Sequence, residues 1–216
     1  MYLLELNEII ENGENSTVEF KRKYSTAEKI AKELIAFANT KGGKIIFGVD
    51  DDKRVIGVES EKGELELIDT AAKFYCSPEV KFSYEILHIY RKDVIVVNIP
   101  ESRTKPHSLI EENNNADGAQ PKVYIRVKDK SVLASKETIR VMKRSNPDSP
   151  PLIVQLGDKE KYLLTYLSEH ERITVDVLRK QLNLSERRAS RMLVNLVRAG
   201  LILLHNLDKE DYYTLS

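Results

Sequence analysis

A single cysteine, Cys76, excludes an internal disulfide, and no cysteine–histidine spacing typical of a zinc site occurs. Cys76 lies in an apolar stretch that reads as helical and is expected in the core, which suits a reducing cytoplasm. Tryptophan and low-complexity tracts are absent. No apolar run is long enough to span a bilayer, and no basic–apolar leader is visible at Met1-Tyr2-Leu3-Leu4, so a soluble cytoplasmic protein with no membrane partner is expected. Charge of one sign is not in excess either: 34 lysines and arginines balance 34 aspartates and glutamates. Any nucleic-acid surface must therefore be local.

Proline is sparse except in one place. Three of the seven prolines fall in Asn146-Pro147-Asp148-Ser149-Pro150-Pro151, which cannot continue a helix. The chain of 216 residues is long enough for two small domains. We read them as residues 1–146 and 155–216, joined by a proline-rich linker over 147–154.

The first domain is organised around Glu14–Val58. Thr17–Lys21 has strand character, with Val18 and Phe20 on one face and Glu19 and Lys21 on the other. Glu19 and Lys21 make a carboxylate–ammonium pair, and Glu14 lies just upstream. Ser25-Thr26-Ala27-Glu28 fits a capping box for a helix with Ala27, Ile30, Ala31, Leu34, Ile35 and Ala38 on one stripe. Gly42-Gly43 ends that helix. No P-loop spacing surrounds the two glycines, so a C-cap is favoured over a phosphate cradle. Ile45–Val49 reads as a buried strand, Asp50–Lys53 as a turn, and Val55–Val58 as a returning hairpin partner.

These blocks carry a resemblance. E-x-x-x-x-E-F-K (Glu14 to Lys21), A-F-A-N-T-x-G-G (Ala36 to Gly43), G-V-D-D (Gly48 to Asp51) and Gly57-Val58 resemble the Schlafen AlbA_2 family, as do Lys105-Pro106-His107 and Tyr124–Val127 with Ala134. The resemblance covers roughly residues 8–145. It implies an α+β fold, a mixed sheet with packed helices, and nucleic acid as partner. Relatives include DNA-binding regulators and nucleases of tRNA and rRNA. In the nucleases three carboxylates hold a metal. The matching positions here are Glu14, Glu19 and Asp50, with Asp51 the rival for the third place. Mg²⁺ or Mn²⁺ would be the cofactor of that activity, and no cofactor is implied without it. Lys21 would steady the phosphate or the attacking water. Turn chemistry alone also accounts for the aspartates, and Glu19 could simply pair with Lys21 or Arg22. Lys105, His107 and Arg126 are candidates for phosphate contact, while Lys21-Arg22-Lys23 reads equally as a basic rim or plain charged surface. The nucleases use two such lobes and this sequence shows one, so the resemblance implies a homodimer.

Further along, Tyr2–Asn12 reads as a helix closed by Gly13, and Glu64–Cys76 as another helix stopped at Ser77-Pro78. Phe82–Ile86 and Val94–Ile99 read as a strand pair. Residues 101–121 form a long polar loop with partial disorder expected over 111–119. Lys122–Val127 is a strand, and Ser135 caps a helix through Arg144.

Beyond the linker, helices over Lys159–Ser168, from Thr174, and from Ser185 to Ala199 precede strands at Leu201–Leu204 and Tyr212–Leu215. Three helices and a hairpin resemble a winged helix-turn-helix. The last helix places Arg187, Arg188, Ser190 and Arg191 where a major groove would meet its N-terminal end. An arginine-rich helix also suits a packing or protein–protein module. The sequence expectation is a DNA-binding transcriptional regulator; the alternative is a metal-dependent endoribonuclease acting on tRNA-like structured RNA.

Overall fold

The computed structural model describes residues 3–22, 26–110, 121–146, 152, 154–206 and 211–216. Ser25, the expected disorder over 111–119, most of the linker and the tip of the last hairpin lie outside these residues. The chain divides into two units, Met1–Leu133 and Ala134–Ser216.

The first unit opens with α1 (Leu3–Asn12), β1 (Val18–Lys21), α2 (Ala27–Asn39) and β2 (Gly43–Phe47). β1 and β2 run parallel, with Phe20 opposite Ile46, so α2 is the crossover between them. Then come α3 (Glu61–Phe74), the short β3 (Cys76–Ser77), β4 (Ser83–Ile89) and β5 (Lys92–Ile99). The sheet order is β1-β2-β5-β4, with β5 antiparallel to both neighbours. Short β6 (Ser108–Leu109) pairs with β3, and β7 (Tyr124–Val127) pairs with β8 (Lys130–Leu133). This is the expected α+β mixed sheet.

Both sheet faces are covered, and the pleat assigns the residues. Ile45, Phe47, Ile95, Val97 and Ile99 pack with Ile30, Leu34 and Phe37 of α2 and Ile68 and Ala72 of α3. Val18, Phe20, Ile46, Val94 and Val96 pack with Leu6 and Ile10 of α1. The period of two along each strand sends alternate residues to opposite layers, and both layers are apolar. Glu19 and Lys21 therefore face the α2 layer.

Three expectations are corrected. The segment Val55–Val58 is not a strand: only a bridge from Val49 to Val55 forms, and β5 takes the place beside β2. Its hydrogen bonds go elsewhere, as the amides of Ile56 and Gly57 donate to Gly48 O at 2.9 and 3.0 Å and that of Val58 to Asp93 O at 2.8 Å. Cys76 lies on a strand rather than a helix, though buried as expected. α3 starts three residues early because Ser60 caps it, accepting from the Gly63 amide at 3.1 Å.

The second unit holds α4 (Lys136–Arg144), α5 (Asp158–Glu169), α6 (Val175–Gln181), α7 (Glu186–Arg198), β9 (Ile202–His205) and β10 (Tyr212–Leu215). The sequence reading assigns α4 to the first domain, but α4 packs against α7 and belongs to this unit. β9 and β10 form an antiparallel hairpin, and Ile173, just before α6, bridges to Tyr213. Leu163, Leu178, Leu193, Leu196, Ile202 and Tyr213 are at its core. Among the described residues no helix is long and apolar enough to cross a membrane.

Candidate functional site

Glu19 sits on β1 against α2 and is 8% exposed. One carboxylate oxygen pairs with Lys21 Nζ, and the other accepts from Arg126 Nη1 at 3.0 Å. The same Nη1 reaches Glu33 Oε2 at 3.1 Å, and Ser131 Oγ also donates to that oxygen. Arg126 Nη2 donates to Asn15 O at 2.8 Å, and the guanidinium lies 4.7 Å from the centre of the Phe37 ring. Lys21 Nζ lies 4.0 Å from Glu33 Oε1. Two cations and two carboxylates thus form a closed, neutral set. The Arg126 side chain is 1% exposed, so it meets carboxylates and not the phosphate expected of it.

Asp50 is 3% exposed and belongs to its own turn. Its Oδ1 accepts from the Arg54 amide at 2.8 Å, and its Oδ2 from Arg54 Nε at 2.9 Å. These bonds hold its carboxyl below the usual aspartate range, the backbone amide of Arg54 most of all. Glu14 accepts from the Phe20 amide at 2.8 Å. Burial raises its pKa, and the nearby charges of Glu19 and Asp51 push the same way.

The expected trio of Glu14, Glu19 and Asp50 is therefore spread over three environments. A divalent cation needs carboxylate oxygens with negative charge to spare. Here a guanidinium already neutralises two of the three, so the arrangement does not fit Mg²⁺ or Mn²⁺. Among the described residues, the one trio of candidate ligand atoms mutually within 4.8 Å is Glu61, His88 and Asp93. His88 and Asp93 are directly opposite on β4 and β5 and hydrogen-bond to each other, a cross-strand pair that accounts for their closeness.

The Lys105-Pro106-His107 block also turns inward. His107 is 2% exposed. Its Nδ1 lies 2.7 Å from Pro78 O, a carbonyl that only accepts, so Nδ1 carries the proton and Nε2 accepts from Ser102 Oγ at 2.7 Å. Burial holds its pKa below the ordinary histidine value. Lys105 Nζ donates to Thr40 O at 2.8 Å and pairs with Glu101, placing a cation on the C-terminal end of α2. Asn39, part of the A-F-A-N-T-x-G-G block but not among the expected site residues, ties the block down: its amide donates to His107 O and Tyr124 O, both at 2.9 Å, and accepts from the His107 amide at 2.8 Å. Its sequence signal is a polar residue closing an otherwise buried apolar run on α2. Neither Lys105 nor His107 is placed to hold a phosphate. The C-cap of α2 is Thr40, and Gly42, two residues further on with φ of +70°, closes the helix end by donating to Phe37 O at 2.9 Å.

The second unit presents a different surface. Arg187, Arg188 and Arg191 of α7 are exposed. Ser190, their neighbour in sequence, is 0% exposed, which corrects its expected base contact. Its hydroxyl accepts from Arg140 Nη1 at 2.6 Å and donates to Glu137 Oε1 at 3.2 Å, both on α4. A cleft of about 560 Å³ between α4 and α7 is lined by Arg140, Arg144, Ser185, Glu186, Arg187 and Arg191 among others. Ser185, at the N-cap of α7, makes no side-chain capping bond.

Comparison with known proteins places the first unit. The family model described as "Schlafen, AlbA_2" matches residues 14–135, more than half of the chain. The DIP2311 protein of Corynebacterium diphtheriae is 18% identical with a TM-score of 0.47 over 77% of this chain, which spans 37% of that protein. The N-terminal domain of a RecG-related protein of Nitrosomonas europaea, described as a putative ATP-dependent DNA helicase, is 22% identical with a TM-score of 0.41. That likeness covers 62% of this chain and 92% of the domain.

Proposed function

Because this chain belongs to the Schlafen AlbA_2 family, a nucleic-acid-related one, we propose that it is a nucleic-acid-binding protein whose C-terminal unit is a winged helix-turn-helix that docks on duplex DNA as part of a transcriptional regulator. The observation that carries this reading is the outer surface of α7. Arg187, Arg188 and Arg191 are solvent-exposed there, without an ion-pair partner among the described residues and with Glu186 as the sole acidic residue of the helix. The order helix, bridging residue Ile173, helix, helix, hairpin supports the winged arrangement, since the bridge ties the segment before α6 to the hairpin. The turn between α6 and α7 is made by Asn183 with φ of +48°.

Arginines at a recognition helix contact phosphates and base edges, and phosphate contacts make affinity fall with salt. Replacing Arg187, Arg188 and Arg191 by alanine is expected to weaken binding to a selected duplex by ten-fold or more, the order of magnitude that base-edge recognition contributes. Unchanged affinity in a fluorescence anisotropy titration would reject the recognition-helix assignment. The first unit supplies dimerisation or backbone contacts in this reading. Light scattering of the purified chain, expected at twice the monomer mass, tests the homodimer. The endoribonuclease alternative gains no support from the pairing of Glu19 with Arg126 and of Asp50 with Arg54.

A further inference from the structure

We infer that the cleft between α4 and α7 is a phosphate-binding site, with α4 a working part of the nucleic-acid surface. The inference deepens the reading above and rests on it for the identity of the ligand. Its ground is charge and shape. Arg140 and Arg144 stand four residues apart on α4, and Arg187 and Arg191 four apart on α7, so each pair shares a helix face. Both pairs line the same concave space of about 560 Å³, where the acidic lining residue is Glu186.

Like charges four apart on a helix destabilise it, and two such pairs in one cleft compound the cost. Of the four, Arg140 alone has a carboxylate partner among the described residues. Arg140 is shared between Glu137 at 2.9 Å and Ser190 at 2.6 Å, and Arg144 reaches the neutral Asn195 at 3.3 Å. Arg187 and Arg191 have no ion pair among the described residues. Ser185, which also lines the cleft, gives the first turn of α7 no side-chain cap. A dianionic or diester phosphate suits this set because guanidinium forks match its oxygens in pairs. The hydrogen bonds from Arg140 to Ser190 and from Arg144 to Asn195 fix α4 against α7, so the guanidinia of α4 are held in place before any ligand arrives. The sequence hides this site because Arg140 and Arg144 precede the proline-rich segment and read as belonging to the other domain.

The test uses the full chain, with Arg144→Gln and Arg140→Gln/Arg144→Gln as variants. Arg144→Gln disturbs the fold least, since it removes one bond to Asn195, and circular dichroism checks that both variants keep their helices. Anisotropy titrations with a short DNA duplex are run across salt concentrations. The slope of log affinity against log salt is expected to flatten by about 1 for each phosphate that is no longer neutralised, and by similar amounts on unrelated sequences. Where the wild type binds duplex, an unchanged slope in the double variant overturns the cleft assignment and leaves the recognition-helix reading standing. Where the wild type binds no duplex, the function reading fails and inorganic phosphate decides the cleft. Phosphate-induced shifts of the Glu186 and Arg187 amide resonances, abolished in the double variant, would uphold it. Their absence would overturn it.

Discussion

Arg126, its own side chain 1% exposed, holds two carboxylates that keep only 11% and 17% of their side-chain exposure. Substitution by methionine would strand Glu19 and Glu33 half-paired, since Lys21 alone cannot serve both, and is expected to cost about 3–5 kcal/mol in urea unfolding at neutral pH. Replacing Glu19 and Arg126 together by apolar residues of similar size should cost much less, and this difference separates an ion-pair effect from a packing effect. His107 gives a pH signature. Its pKa in the folded chain lies below the unfolded value of about 6.5, so between the two values the unfolded chain binds the proton and the native one does not. Stability should therefore drop as pH falls through about 6.5, and level off below the folded-state value. His107→Asn, which retains a donor towards Pro78 O, should flatten that part of the curve when unfolding midpoints are compared from pH 8 to pH 5. Glu64 acts in the opposite direction. It is 3% exposed, one of its carboxylate oxygens is buried without a partner, and burial raises its pKa. Its charge thus opposes folding above the unfolded value of about 4.3. Glu64→Gln should raise the unfolding midpoint at pH 7 and leave it nearly unchanged below pH 4.

At the scale of elements, the junction of α2 with β2 depends on two glycines for different reasons. Gly42 has φ of +70°, and a Cβ there would lie 2.6 Å from Ile99 O. Gly43 has ordinary backbone, but its Cβ would lie 2.5 Å from both Phe37 and Thr17 O. Alanine at either position should destabilise by about 1–3 kcal/mol or more, as overpacking against backbone does. Gly200 also has a φ of +70° but open space around it, so Gly200→Ala should cost only the left-handed strain of about 1–2 kcal/mol. Thermal melts of the three variants would order these costs. Most elements are legible in the sequence because caps and periodicity are local: Ser135 and Thr174 each accept a hydrogen bond from an amide three residues on, while α2 is capped by Thr26, one residue after the Ser25 that opens the expected capping box. What escapes depends on distant partners. Nothing near Arg126 in the sequence announces Glu33 on α2, so an arginine on a strand reads as a surface group. Asp50 reads only as a turn residue or a ligand, because nothing in the local pattern marks Arg54 as its deciding partner. Ser190 looks exposed by its place on α7 until α4 is set against it, and no local pattern joins those two helices across the proline-rich stretch.

For the whole molecule, the boundary between Leu133 and Ala134 has a direct consequence for how the chain can be divided. A fragment of residues 134–216 should fold cooperatively, whereas one beginning at 147 lacks α4 and exposes Ser190 and Val194 of α7, both 0% exposed in the full chain. The shorter fragment should melt several degrees lower, as circular dichroism would show, and, on the function proposed above, should bind duplex more weakly. The lone cysteine sets how the intact chain can be studied. Cys76 is 2% exposed, and burial pushes its thiol up to about 12. Maleimide and methanethiosulfonate reagents attack thiolates they can reach, so the native chain should stay unlabelled while folded. A cysteine introduced at an exposed position of α7 would then be the only reactive one, with no need for a cysteine-free background. A spin label there would report, in one measurement, whether two copies come together and how far apart their α7 helices stand.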